Sequence, residues 1–414
     1  VRDLSAIDLF AGPGGWDIAA RTLELDPLGI EWDDAACATR EAAGLRTQQA
    51  DVAALEPTDF APCDLLIASP PCPTFSRAGK REGIADMPLV WEAAKAVAKG
   101  EPWGELAWRD TRSELVVEPL RWALALRPRF IAWEQVPDVL PFWERCAEYL
   151  RVAGYAAWTG VLEAERYGVA QTRERAILMA DRQGHVEPPR PTHQRYVKGE
   201  AARHEVTLEG EILPWISMAE ALGWPADRPA PTVTGGGTEK GGAEVFGRGG
   251  REAILQAAAD WPADRPAPTI TTGTARCNGG VLVYGDWRMR NGNQPNATER
   301  DADEPASTIA FGHNSARVEW VTERPSTTVC GDPRISPPGY RGRPEDYAED
   351  GSYQGERSMD KAVRVTLEEA AALQNFPPGY PFQGTKTKKF EQVGNAIPPL
   401  LAQAVLSQLL KAIA

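Results

Sequence analysis

Cys72 stands in the run Ala68-Ser-Pro-Pro-Cys-Pro-Thr-Phe-Ser76, with a proline on each side of the thiol. Residues 63–68 form a short apolar run that reads as a buried parallel strand. Pro70 and Pro71 end that strand and restrict the backbone just ahead of the cysteine. The thiol is thus carried on a stiff turn at the C-terminal edge of a parallel sheet, where open α/β sheets bind their ligands. A thiolate in that position is a strong nucleophile even when only a small fraction is ionised. A buried, inert cysteine is the plainer alternative for any single thiol. Two further groups are spaced to join it. Glu134 follows the strand-like residues 129–132, so its carboxyl belongs at a neighbouring strand end. Arg173 and Arg175 lie two apart in a stretch that reads as a strand, which predicts that they face the same side.

The elements that must position these groups begin near the N-terminus. Residues 5–10 are a short apolar strand, followed by Ala11-Gly-Pro-Gly-Gly15 and an amphipathic run from Trp16 to Leu25. Strand, glycine turn and helix make the first unit of a nucleotide-type α/β fold. The glycines permit a tight turn and close approach of a ligand to backbone. Their order is F-x-G-x-G-G rather than the dinucleotide pattern, which favours a smaller adenosine cofactor over a pyrophosphate. Glu31 lies about 20 residues beyond the first glycine, where an acid commonly takes ribose hydroxyls. Trp32 is placed to lie on an adenine face, and Asp51 ends the next strand segment.

Composition sets the outer bounds. The chain has 414 residues, enough for two domains with a core in each. It is 43% hydrophobic and 25% charged, which excludes a wholly disordered chain. No apolar run in the sequence reads as a membrane span, so no membrane partner is expected. Six cysteines form no C-x-x-C pair and no zinc spacing, and the four histidines are scattered. Reduced thiols in a cytosolic protein without a metal site are therefore expected. The net charge of −13 argues against a non-specific nucleic-acid binder but leaves room for a locally basic cleft.

At this point a resemblance is plain. Asp8-Leu-Phe-Ala-Gly-Pro-Gly-Gly15 and Pro70-Pro-Cys-Pro-Thr-Phe-Ser76 resemble the cofactor and nucleophile motifs of the DNA (cytosine-5)-methyltransferases. The downstream order agrees. Residues 110–118 resemble the helix after the nucleophile loop, and Trp133-Glu-Gln-Val136 sits where that family has E-N-V. Gln171-Thr-Arg-Glu-Arg175 matches its Q-x-R-x-R, and residues 364–377 are similar to its segment ending L-Q-G-F-P. Gln392-Val-Gly-Asn-Ala-Ile-Pro-Pro399 is close to its G-N-A-V-P-P. Three positions depart from the pattern: Pro73 replaces Gln, Gln135 replaces Asn, and Ala68-Ser69 replace Gly-Gly. The longer Gln135 is expected to reshape the base pocket.

The resemblance implies a Rossmann-like S-adenosylmethionine-dependent methyltransferase domain with a mixed, mostly parallel sheet, and a smaller irregular β-rich target-recognition domain. It implies that Cys72 adds to C6 of cytosine, that Glu134 donates at N3, and that Arg173 holds the cytosine O2 or a nearby phosphate. Arg175 would support Glu134 or the backbone. The cofactor would be S-adenosylmethionine, against Phe10, Gly12, Gly14, Gly15, Glu31, Trp32, Asp51, Pro70 and Asn395. The substrate would be double-stranded DNA, with the target base turned out of the helix. Ser76, Arg77, Lys80, Arg228 and Arg265 are the expected DNA contacts, and residues 77–110 a lid closing over it.

The expected division is a catalytic part over 1–184, a target-recognition domain over 185–355, and a return segment over 356–414. The middle is rich in Pro, Gly, Thr and Arg, and Trp224-Pro-Ala-Asp-Arg-Pro-Ala-Pro-Thr recurs from Trp261. Weaker copies begin at Asp303 and Glu323, and the uneven intervals argue against a regular solenoid. A monomer in the cytoplasm, at the nucleoid, is expected, with a separately acting restriction endonuclease as an open partner. The alternatives are a catalytically silent DNA-binding relative and methylation of RNA or a free nucleotide.

Overall fold

Short aliphatic runs alternating with amphipathic segments build one seven-stranded sheet in the computed structural model of the chain. The structure describes residues 4–71, 82–197, 204–207, 210–223, 286–291, 298–301, 305–307, 316–321, 363–364 and 366–413. The strands are β1 (Ala6–Leu9), β2 (Leu28–Glu31), β3 (Thr47–Gln49), β4 (Leu65–Ala68), β5 (Phe130–Gln135), β6 (Ala156–Glu163) and, after the two-residue β7 (Gln171–Thr172), β8 (Glu174–Asp181). Their order across the sheet is β3-β2-β1-β4-β5-β8-β6. The first five run parallel, and β8 lies antiparallel between β5 and β6. This is the expected mixed, mostly parallel α/β sheet.

The period of two along each strand sorts side chains onto two cores. Leu66 and Ala68 of β4, with Ile131 and Trp133 of β5, face one core. That face is covered by α3 (Glu82–Ala98), α4 (Glu118–Leu126) and α5 (Leu140–Val152). Leu65, Ile67, Phe130 and Ala132 face the other, beneath α1 (Gly15–Thr22) and the helix Pro399–Leu410. The centre of the sheet is therefore buried on both sides. Strand β2 leads into α2 (Asp34–Ala42), whose N-terminus is capped by the Asp33 carboxylate on two backbone N–H groups at 3.1 Å.

The described part of the expected lid is core packing: Trp91 lies edge-on to Phe142 at 5.7 Å, and Trp103 and Trp108 pack against the same cluster. Buried Asp86 accepts the backbone N–H groups of Arg109 and Asp110 at 3.0 and 3.1 Å, which ties that segment down. Among the described residues one stretch, Lys386–Leu410, does pass a test of length and apolarity for a membrane span. It is broken at residues 396–398, where the backbone is extended, and most of it is buried in the second core.

The chain divides into two compact units. One holds Val1–Leu222, Glu304–Asn314 and Thr366–Ala414, so residues 185–222 lie in the unit that contains the sheet. Tyr196 meets Trp215 edge-on at 5.5 Å there, and Ala306–Ser307 pairs in parallel with β7. The other unit holds Gly223–Asp303 and Ser315–Val365. Its described strands form an antiparallel sheet with Asp286–Asn291 between Thr298–Asp301 and Ala316–Val321, and Val363–Arg364 beside the last. The two close copies of the Trp-Pro-Ala-Asp-Arg repeat lie outside the described residues.

Trp143 is fully buried between Trp133 and Phe142, with ring centroids at 5.4 and 5.6 Å. Trp143→Ala is expected to lower stability by roughly 3–5 kcal/mol, read as a drop in the urea midpoint without a change in slope.

Candidate active site

The glycine turn joins β1 to α1. Phe10 and Gly12 both hold left-handed backbone, with φ of 58° and 53°. A Cβ built on Gly12 would meet no described atom within 4 Å, so the turn is open on that side. Gly15 is the reverse case: a Cβ there would stand 2.4 Å from the carbonyl oxygen of Ile397. Only glycine lets the segment before the last helix lie against the start of α1. Tyr380 closes the turn from another side by donating its hydroxyl to the carbonyl of Pro13. Burial pushes that phenol up, which keeps it a donor.

Glu31, at the end of β2, is the acid that faces this turn. Its carboxylate accepts the backbone N–H of Gly12 at 2.8 Å, of Trp32 at 2.9 Å and of Asp33 at 2.8 Å. The glycine turn and the β2 end are therefore locked together through one side chain. Trp32 beside it is 66% exposed, the largest such fraction for a described aromatic side chain, and presents a bare indole. Asp51 is exposed and accepts the Ala53 N–H at 3.0 Å, capping a short turn after β3. Asn395 is exposed at the C-terminal end of the helix Lys386–Asn395. Lys388 of that helix pairs with Asp33 at 2.9 Å. Burial alone would raise Asp33, but the hydrogen bond from Lys388 and the helix-start N–H groups bring it below its ordinary value.

The proline corner is built at the end of β4, next to the glycine turn across the β1–β4 pairing. The Ser69 hydroxyl accepts the indole N–H of Trp16 at 2.9 Å, which ties the corner to the first turn of α1. Gln135, from the end of β5, donates its amide to the carbonyl of buried Pro70 at 2.5 Å, and its own carbonyl accepts the Val136 N–H at 2.6 Å. Two departures from the family pattern, Ser69 and Gln135, thus both brace this corner. Cys72, Ser76, Arg77 and Lys80 lie just beyond it, outside the described residues, as do Arg228 and Arg265.

Glu134 stands one residue before Gln135 on β5, opposite Ile177 of β8, and is 4% exposed. Arg175 holds it with Nε at 2.5 Å from Oε1, and both side chains are nearly buried. A charged pair at that depth fixes the carboxyl's direction. Arg173 lies just before β8 and is fully buried. Its Nη2 donates to the carbonyls of Gly394 at 2.8 Å and Ala396 at 3.0 Å, on either side of Asn395. In this conformation Arg173 is a clasp on the return segment, while Arg175 sits at the carboxyl.

Sequence reasoning missed several of the residues that hold this arrangement. Gln374 donates to the Ala396 carbonyl at 2.5 Å and accepts from Gln171 at 2.9 Å. Both glutamines lie in motifs already recognised, and that coincidence was the available signal. Tyr380 and Trp16 carried no signal, because their partners are backbone or lie far away in the chain.

Gly15→Ala should cost about 1–3 kcal/mol, because the new methyl meets a backbone carbonyl that has no room to move. The expected readout is a lower melting temperature.

Comparison with known proteins identifies the family. The profile of the family described as C-5 cytosine-specific DNA methylase matches residues 4–104, 103–210 and 279–411. The Type II methyltransferase M.DdeI of Desulfomicrobium norvegicum is 25% identical, over 98% of this chain and 88% of that protein. The Type II methyltransferase M.XorII of Xanthomonas oryzae pv. oryzae is 26% identical, over 98% and 84%. DNA (cytosine-5)-methyltransferase 1A of Oryza sativa subsp. japonica is 24% identical over 99% of this chain, which spans 28% of that longer protein. Among solved structures, the S. pombe Dnmt2 methyltransferase covers 99% of each chain with a TM-score of 0.52 at 14% identity, a likeness of fold. With the profile spanning most of its length, from the glycine turn to the last helix, this chain belongs to the C-5 cytosine-specific DNA methylase family.

Proposed function

We propose that the protein transfers a methyl group from S-adenosylmethionine to C5 of a cytosine turned out of a specific double-stranded DNA sequence, through a covalent bond between Cys72 and C6. The observation that carries this reading is the end of β5. There Gln135 grips the carbonyl of Pro70, two residues before the thiol, while adjacent Glu134 is aimed by Arg175. Nucleophile corner and carboxyl are set by neighbouring residues of one strand, so they are held at a fixed separation.

The cradle at the glycine turn fits the cofactor. The space beside Gly12, the exposed Trp32 indole and the Glu31 carboxylate suit the nucleoside part, and Asp51 stands at the rim. Phe10, Gly14, Gly15, Pro70 and Asn395 would complete the enclosure. When bound, S-adenosylmethionine supplies an electrophilic methyl group.

Each residue then has a defined task. The Cys72 thiolate forms the Sγ–C6 bond, and the ring electron pair moves toward C5. The Glu134 carboxyl donates its proton to N3, where negative charge would otherwise build, and Arg175 pairs with the carboxylate left behind. Once C5 carries the methyl group, its proton passes to water, the C–H electron pair re-forms the ring double bond, the Sγ–C6 bond breaks to restore the thiolate, and N3 returns its proton to Glu134. Arg173 serves this site by holding the Asn395 loop rather than by touching the base. Ser76, Arg77, Lys80, Arg228 and Arg265 are the proposed DNA contacts. The catalytic and target-recognition parts divide near residues 222 and 366 in this reading, and the enzyme works as a monomer on cytoplasmic, nucleoid DNA. Relatives named as type II methyltransferases support a cognate endonuclease acting separately.

Bisulfite sequencing of DNA from expressing cells is expected to show protected cytosines in one sequence context; their absence would remove the reading. Cys72→Ser should lower turnover on the order of 10⁴-fold or more while leaving DNA affinity largely intact. Glu134→Gln should lower it by roughly 10²–10⁴-fold, in kcat more than in KM for DNA.

A further inference from the structure

Beneath the glycine turn, on the face of β1 opposite Leu9, lies a buried acid that the proposed chemistry does not use. Asp8 is 0% exposed, and among the described residues neither of its oxygens receives a hydrogen bond from a donor of the usual kinds. Ionised, a carboxylate in that position would be desolvated with no hydrogen bond to compensate it. Next to it Asp17, in the first turn of α1, is gripped by Arg40 with both Nη–O distances at 2.8 Å. This pair is also buried, at 0% and 1% side-chain exposure.

Arg40 spends its remaining N–H groups on the surrounding backbone. It donates to the carbonyl of Ala11 within the glycine turn at 3.3 Å, to the carbonyl of Arg46 at 3.1 Å and to the Thr47 hydroxyl at 2.9 Å. A Cβ on Gly29 would stand 1.9 Å from its Nη2, so the β2 backbone is shaped around this guanidinium. The charged and titratable groups facing Asp8 are Asp17 from α1, Arg40 from α2 and Glu31 from β2, with Tyr380 of the return segment facing Asp17 and Arg40. The sequences of β4 and of the helix Pro399–Leu410 contribute no titratable side chain.

We propose that Asp8 is a neutral carboxylic acid that donates its proton to Asp17, completing a buried acid–carboxylate–guanidinium chain that holds the glycine turn in its binding shape. Asp8 is then a positioning residue, a role that rests on the glycine turn being the cofactor site. The electrostatics agree: burial, and after it the charge of Asp17, raise Asp8 well above the ordinary carboxylate value, with Arg40 pulling the other way. The sign of the pH effect follows. A native value above the unfolded one means that the folded chain keeps a proton which the unfolded chain releases. Stability therefore falls as pH rises above the unfolded carboxyl value and on through the native one.

Two variants of the full chain test this. Asp8→Asn keeps a neutral donor toward Asp17, and Asp8→Leu removes it at similar bulk. Binding of S-adenosylhomocysteine, followed by calorimetry, is expected to stay within about threefold of wild type in Asp8→Asn and to weaken about tenfold or more in Asp8→Leu, with kcat at saturating cofactor changing less. The melting temperature of Asp8→Asn should gain on wild type as pH rises from about 5 to about 8. A carboxylic-acid carbonyl band should be present in the infrared spectrum of wild type and absent from Asp8→Asn. Equal weakening in the two variants would show that the carboxylate itself is required, and unchanged binding in Asp8→Leu would show that the chain does not set the turn; either overturns the proposal. If wild type binds no S-adenosylhomocysteine, the cofactor reading fails instead. The melting and infrared arms then still decide the proton: parallel pH profiles with no carbonyl band overturn it.

Discussion

The carbonyl oxygen of Ala396 is the point on which the site depends. It accepts from Gln374 at 2.5 Å and from Arg173 at 3.0 Å, and Arg173 also takes the carbonyl of Gly394. The helix Lys386–Asn395 ends here, and the last carbonyls of a helix have no partner of their own within it. Buried and unpaired, they would destabilise the chain's return to the sheet. Arg173 and Gln374 supply the missing donors, and Gln171 holds Gln374 in place at 2.9 Å. Three segments far apart in sequence therefore meet at one small polar knot. The carbonyl of Ile397, which follows directly, is what presses against Gly15.

The framework was legible where a local pattern controls the outcome. Alternation in β4 sends Leu66 and Ala68 to one core and Leu65 and Ile67 to the other, as a central parallel strand requires. The acid at the end of β2 and the proline corner after β4 were both visible, because strand ends are marked by abrupt changes of residue type. Partners chosen by tertiary contact were not visible. The spacing of Arg173 and Arg175 did not announce that the first would reach the carbonyls of Gly394 and Ala396, more than two hundred residues on. Trp91 reads as helix packing from its helical run, but its partner Phe142 lies on α5, about fifty residues away, at a distance no periodicity reports. The reach of Gln135 to the Pro70 carbonyl is another tertiary contact that its place in the motif did not announce.

Charge is the other place where composition and structure part. Net charge says nothing of where each cation points, and several arginines face inward. Arg40 serves Asp17 and the backbone, Arg121 reaches the carbonyls of Val52 and Leu55, and Arg173 and Arg175 are buried as described. Arg129 lies over the ring of Phe130 with its centre 4.5 Å from the centroid. Their forked donors make them scaffolding for the catalytic core, where a lysine could satisfy fewer carbonyls at once. The net charge of −13 therefore gives little guide to the field that DNA would meet.

The contact between Gly15 and Ile397 also orders events in time. A ribosome delivers the glycine turn, the β-strands and the proline corner long before the segment that packs against α1. Until that segment emerges, Trp16, Ala19 and Ala20 lack the helix Pro399–Leu410 that covers them. The nascent sheet thus carries a greasy, uncapped flank through most of translation, the kind of surface that chaperones hold. The flank is closed only once residues 397–410 have emerged, so a polypeptide interrupted before them is born with α1 uncovered.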